Sequence, residues 1–99
     1  MKFMTAKEDA ISRAAIFWIR ELNHAGDAEQ LAHRLPKQAQ RQLELADECM
    51  NQGWDICLEW MNDGEIAEAR HLTHCAYAKR MGWNMEKPIV VFVRAYTIV

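Results

Sequence analysis

Glycine and proline are scarce, four and two in 99 residues, and their scarcity excludes a collagen-like or low-complexity chain. With 51% hydrophobic and 26% charged residues, the chain also lies outside the regime of low hydropathy and high charge that keeps a polypeptide disordered. One compact domain over residues 1–99 is expected, because a chain this short builds a single modest core. Long apolar runs are missing as well. Even Ile89 to Val93, apolar throughout, stops at Arg94, far short of the roughly 20 residues that cross a bilayer. The opening MKFMTAKED reaches a charge at Lys2 and lacks the apolar stretch and small-residue cleavage site of a secretory signal, so the expected location is cytoplasmic.

Basic charge is not in excess. The formal net charge is -2 and the sequence pI is ≈ 6.1, which excludes a strongly basic nucleic-acid binder on charge alone. Cys49, Cys57 and Cys75 are an odd number without framework spacing, and they read as reduced thiols serving as small core residues. Catalytic motifs are absent: there is no glycine-rich phosphate loop, no nucleophile elbow and no HExxH. Glu21 with His24, or Cys75 with His71, are pairs that any helical chain of this composition offers. The expectation is a protein that is not an enzyme and takes no cofactor.

What is present is helical periodicity. Thr5 and Glu8 have capping-box spacing, and Ile11, Ala15, Trp18, Leu22 and Ala25 repeat at three- and four-residue intervals up to Gly26, which predicts a first helix over 6–24. Phe17 and Ile19 flank that stripe and Ile16 falls on the polar face, so this helix should be central or covered by another chain. Asp27 can cap a short second helix, 28–34, with Ala28, Leu31, Ala32 and Leu35 buried. Pro36 then suits the first position of a third helix.

That third helix is predicted over 37–62. At 100° per residue Ala39, Leu43, Ala46, Met50, Cys57 and Trp60 share one face, while Glu44, Glu48, Asp55 and Glu59 share the opposite one. Both registers pass through Gly53, so a single helix is expected there, at a cost of about 1 kcal/mol relative to alanine. Asn62 and Glu65 form a second capping box for a fourth helix, 64–81, whose stripe is Ile66, Ala69, Leu72 and Ala76 and whose stop is Gly82. Residues 89–98 are rich in Val and Ile and apolar on both faces, which predicts a C-terminal β-strand. The tetrapeptide Met1 to Met4 is too short to pair such a strand. A homodimer joined through Val91, Phe92, Val93 and Tyr96 is therefore expected. The fold class is thus mainly α, four helices with one strand pairing across a dimer.

Charge is segregated along the chain. From Gln42 through Ala69 there is no lysine or arginine, and eight carboxylates lie in that stretch. A solvated helix face accounts for such a run simply. Stacked like charges, however, forgo the glutamate–lysine pairs that usually support an exposed helix, and a basic protein partner relieves the repulsion. Glu44, Glu48, Asp55 and Glu59 are the candidate partner-binding residues. The expected function is a small regulatory protein, a stoichiometric inhibitor or adaptor of the kind phages and mobile elements direct at nucleic-acid machines, this last point being analogy. The alternative is a dimeric DNA-binding regulator. Residues 28–45 partly resemble a helix-turn-helix, with Arg34, Lys37 and Arg41 facing phosphates, although Pro36-Lys37 replaces the usual turn and Gln42 stands where a buried aliphatic is required. His71, His74 and Cys75 have metal-like spacing, but the helical wheel puts Cys75 opposite the surface between the histidines and no metal is expected. Trp54, Trp60 and Trp83 can line a pocket, though aromatics at helical spacing usually form core or interface.

Overall fold

The computed structural model describes residues 4–83. They form three helices, α1 (Ala6–Leu31), α2 (Pro36–Cys57) and α3 (Asp63–Arg80), with no strand among the described residues. The expected strand at 89–98, with Val91, Phe92, Val93 and Tyr96, lies outside the described residues. Among those that are described, no helix is long and apolar enough to cross a membrane.

α1 starts where its cap predicts, with the Glu8 amide donating to Thr5 Oγ1 at 3.1 Å. It does not stop at Gly26. The helix runs 26 residues to Leu31, so the expected pair of helices over 6–24 and 28–34 is one element and the described residues hold three helices instead of four. Gly26 adopts no positive φ. Ala25 and Ala28 on either side of it are buried, and this burial holds the glycine helical against its intrinsic preference. The buried face is Ala10, Ala14, Trp18, Glu21, Leu22, Ala25 and Ala28. Ile11 and Ala15, expected at its centre, are only half-buried.

α2 begins at Pro36, whose missing N–H costs nothing at a helix start. It passes through Gly53 unbroken and ends at Cys57, short of the expected Asn62. The Cys57 carbonyl accepts from both Trp60 N and Met61 N at 3.0 Å, turning the chain so that Asn62 can cap α3. Glu59 and Trp60 consequently leave the helix, and Trp60, expected in the core, is 46% exposed.

The helices form an up-down-up arrangement around α1. His24 of α1 meets Gln42 of α2 and Trp18 meets Gly53, so these two run antiparallel. Lys7, Glu21 and Asn23 meet Glu65, Arg70 and Tyr77 in order, so α3 runs with α1. The seam on α2 is Ala39, Ala46 and Gly53, small residues seven apart that let the two axes approach. Trp18 fills the space between them. A Cβ on Gly53 would lie 2.5 Å from its Nε1, so this glycine is required by the indole.

α3 is opened by a complete capping box, with Glu65 N donating to Asn62 Oδ1 at 2.9 Å and Asn62 N to Glu65 Oε1 at 3.3 Å. It closes at Gly82, φ 72°. Its buried face is Ile66, Ala69, Arg70, His74 and Ala78, rotated from the expected stripe. Leu72 is 59% exposed and Ala76 is exposed too, because α1 covers the side of α3 that carries Arg70 and His74.

Candidate functional site

Three polar side chains are enclosed between α1 and α3. Glu21 is 2% exposed, Arg70 3% and His74 0%. The guanidinium grips the carboxylate with two bonds, Arg70 Nε to Glu21 Oε1 at 2.9 Å and the terminal nitrogen to Oε2, the bidentate geometry that arginine's planar fork favours. His74 Nε2 lies 3.1 Å from Glu21 Oε1 and 3.0 Å from the Trp18 carbonyl. Two acceptors face this nitrogen, so it carries the hydrogen. Burial alone pushes the Glu21 carboxyl up. The hydrogen bonds from Arg70 and then His74, together with their charges, outweigh it and hold the carboxyl below its ordinary value.

This cluster can lock α3 onto α1, and its closure to solvent keeps a substrate from reaching it. It was not legible as a site in the sequence, where Glu21 paired on paper with His24. In the fold His24 turns to Gln42, its Nδ1 2.7 Å from the amide oxygen. The signal for Glu21 was its wheel position, three residues after Trp18 and beside Leu22, where a charge demands a buried partner.

The metal-like trio is divided by the same orientation. His74 points into the interior, whereas His71 is exposed with its Nε2 3.5 Å from Cys75 Sγ. Among the described residues no group of three potential ligands gathers.

The acidic residues lie on the other side of the molecule. Glu44, Glu48 and Asp55 are exposed on α2, within about 40° of one another at 100° per residue and opposite the seam of Ala39, Ala46 and Gly53. Glu59 is exposed in the turn after Cys57, so it borders the helical stripe instead of belonging to it. Glu44 accepts from Arg41 at 3.3 Å, a surface pair at (i, i+3) of small energetic worth. It was expected unpaired and is not. Glu48, Asp55 and Glu59 take part in no ion pair among the described residues. Leu58 and Trp60, 51% and 46% exposed, stand beside Glu59 in the same turn.

Arg34, Lys37 and Arg41 are exposed at the hairpin end. Arg34 and Lys37 line an open recess with Leu35, Pro36 and Gln38, and Arg41 is turned toward Glu44. The segment 28–45 is the closed end of a long antiparallel hairpin, α1 running into it and α2 out of it. A recognition unit needs two short helices set across a turn at a wide angle, and this geometry differs from that. Trp54 packs against the core beside Ile11 and Ile56, and Trp83 meets the edge of Tyr77, so the tryptophans line no common pocket. Compared with protein families, with curated proteins and with solved structures, the chain matches none.

Proposed function

We propose that the chain is a stoichiometric protein-binding module that offers the outer face of α2, Glu44, Glu48 and Asp55, with Glu59 in the adjoining turn, to a basic surface on a partner protein. The observation that carries this reading is a set of exposed carboxylates that form no ion pair among the described residues, Glu48 and Asp55 on the side of α2 turned away from α1 and Glu59 in the turn that follows it. Their mutual repulsion is relieved by a basic groove, and attraction across solvent gives fast, salt-sensitive association. The action is inhibition or scaffolding by occupancy, with no bond made or broken.

The test uses two double variants, Glu44→Lys with Glu48→Lys and Asp55→Lys with Glu59→Lys. Proteins retained by the wild type at low salt and released at high salt are identified, and each purified partner is then titrated with the variants. Folding stability should change by no more than about 0.5 kcal/mol, while association slows and its salt dependence shrinks. Unchanged binding in both variants returns the acidic run to a solvated face. Tight, sequence-selective binding to duplex DNA, abolished by alanine at Arg34, Lys37 and Arg41, establishes the DNA-binding alternative instead.

A further inference from the structure

The outer face of α2 is not acidic throughout. Lys37, Arg41, Glu44, Glu48 and Asp55 lie within about 60° of one another at 100° per residue, opposite the seam of Ala39, Ala46 and Gly53. The two cations come first and the carboxylates follow. That order runs against the helix macrodipole, which favours carboxylates at the start of a helix and cations at its end. α2 has no acidic residue in its first turn and no basic one in its last. Lys37, Glu48, Asp55 and Glu59 form no ion pair among the described residues, and Arg41 meets Glu44. A face that is positive at one end and negative at the other is complementary to its own reversed copy.

The spacing sets where a two-fold axis falls. Lys37 and Glu59 stand eleven residues to either side of Glu48, and Arg41 and Asp55 stand seven to either side. One antiparallel register about Glu48 therefore opposes both cations to both carboxylates. Glu59 lies beyond Cys57, but Leu58 keeps αR geometry and Met61 N donates to the Cys57 carbonyl four residues back, so the turn still advances along the helix axis. Trp60 and Pro36 stand twelve residues to either side of Glu48 in the same register. Pro36 lines the recess of about 360 Å³ at the hairpin end, together with Leu35 and Lys37. Leu35 is 45% exposed and Trp60 46%. An indole against that recess at each end supplies the apolar anchors that surface ion pairs alone lack. Glu48, on the axis, meets its own like.

We infer that this face binds a second copy of the chain, the two α2 helices antiparallel, with Lys37 and Arg41 of each protomer opposite Glu59 and Asp55 of the other. The inference rests on the reading of the outer face of α2 as a binding surface and names the basic partner. It gives the homodimer a contact other than the expected strand at 89–98.

Sedimentation equilibrium of the full chain at low ionic strength tests it. One helix and one turn per copy make a small interface, so the wild type is expected to dimerise at about 100 µM and to dissociate as salt is raised. Lys37→Glu with Arg41→Glu, and Asp55→Lys with Glu59→Lys, each set like charges across the pair and should weaken self-association at least about tenfold, with helical circular dichroism unchanged. Mixed one to one, these two variants regain every opposite-charge contact, and a heterodimer within about threefold of the wild-type constant is expected. A wild type that is monomeric at that concentration, a dimer indifferent to both variants, or a mixture that stays monomeric overturns the inference. A monomeric wild type whose binding to a basic protein is lost in Asp55→Lys with Glu59→Lys also overturns it, and leaves the acidic-face reading standing. Should either charge variant lose its helices, Trp60→Ala and Glu48→Gln decide. Weaker association in the first, with tighter association in the second as the repulsion on the axis is removed, supports the pairing, and failure of either to shift in that direction refutes it.

Discussion

Two glycines sit inside helices, and the structure assigns opposite signs to the same substitution at each. Alanine is favoured over glycine in a helix interior by about 0.8–1.0 kcal/mol. A Cβ at Gly26 meets nothing within 4 Å, so Gly26→Ala should keep that whole gain and raise Tm by about 4–8 °C, the shift per kcal/mol for a domain of this size. A Cβ at Gly53 lands 2.5 Å from Trp18 Nε1 and 2.9 Å from Cδ1 and Cε2. The indole cannot move away: Trp18 is 0% exposed and packed with Ala10, Ala14, Cys57, Met61 and Ile66. α2 must instead shift outward by about 1 Å, an overpacking that costs about 1–3 kcal/mol and outweighs the helix gain. Gly53→Ala should therefore lose up to about 2 kcal/mol and lower Tm by up to about 16 °C. In a Trp18→Phe background, which removes the Nε1 edge, the same substitution should cost less, with a coupling above about 0.5 kcal/mol in the double-mutant cycle. Thermal denaturation of the four single and double variants gives all these numbers. If Gly53→Ala raised Tm as Gly26→Ala does, the packing of Trp18 on Gly53 described above would be wrong.

Arg70→Met leaves the Glu21 carboxylate buried without its main partner and should cost about 3–5 kcal/mol, read by denaturant unfolding. Because Glu21 is held below its ordinary value of 4.5 in the folded state, its ionised form contributes stability above that pH, and the contribution is lost as pH falls through the lower folded value. The Tm difference between wild type and Glu21→Gln should thus be steady near neutrality and narrow below about pH 4.5, and a difference that widened in acid would contradict the sign. Asn62→Ala removes the cap whose Oδ1 accepts from Glu65 N and should cost about 1 kcal/mol, seen as a lower Tm and faster amide exchange in the first turn of α3.

Much of the helical fold is legible in the sequence because its signals are local. The caps at Thr5 and Asn62, the proline opening α2 and the glycine closing α3 each act through hydrogen bonds or dihedral limits within four or five residues, and all four stand where the spacing put them. The continuity of α2 through Gly53 follows from two registers that survive it. The acidic residues are legible for the same reason, as a face of one helix, and Glu59 departs only because Cys57 ends that helix early.

Tertiary structure decided the rest. Gly26 and Gly82 are the same residue, and only the burial of Ala25 and Ala28 against neighbours makes one a helix interior and the other a stop. The stripe of α3 was read from hydropathy, which placed Leu72 inward. The fold turns Arg70 and His74 inward instead, because a carboxylate already enclosed at Glu21 gives them a partner 49 and 53 residues away in sequence. A wheel ranks residues by their own polarity. The energy of burying a charge depends on whether an opposite charge meets it across the interface, and that is set only when two helices distant in sequence come together.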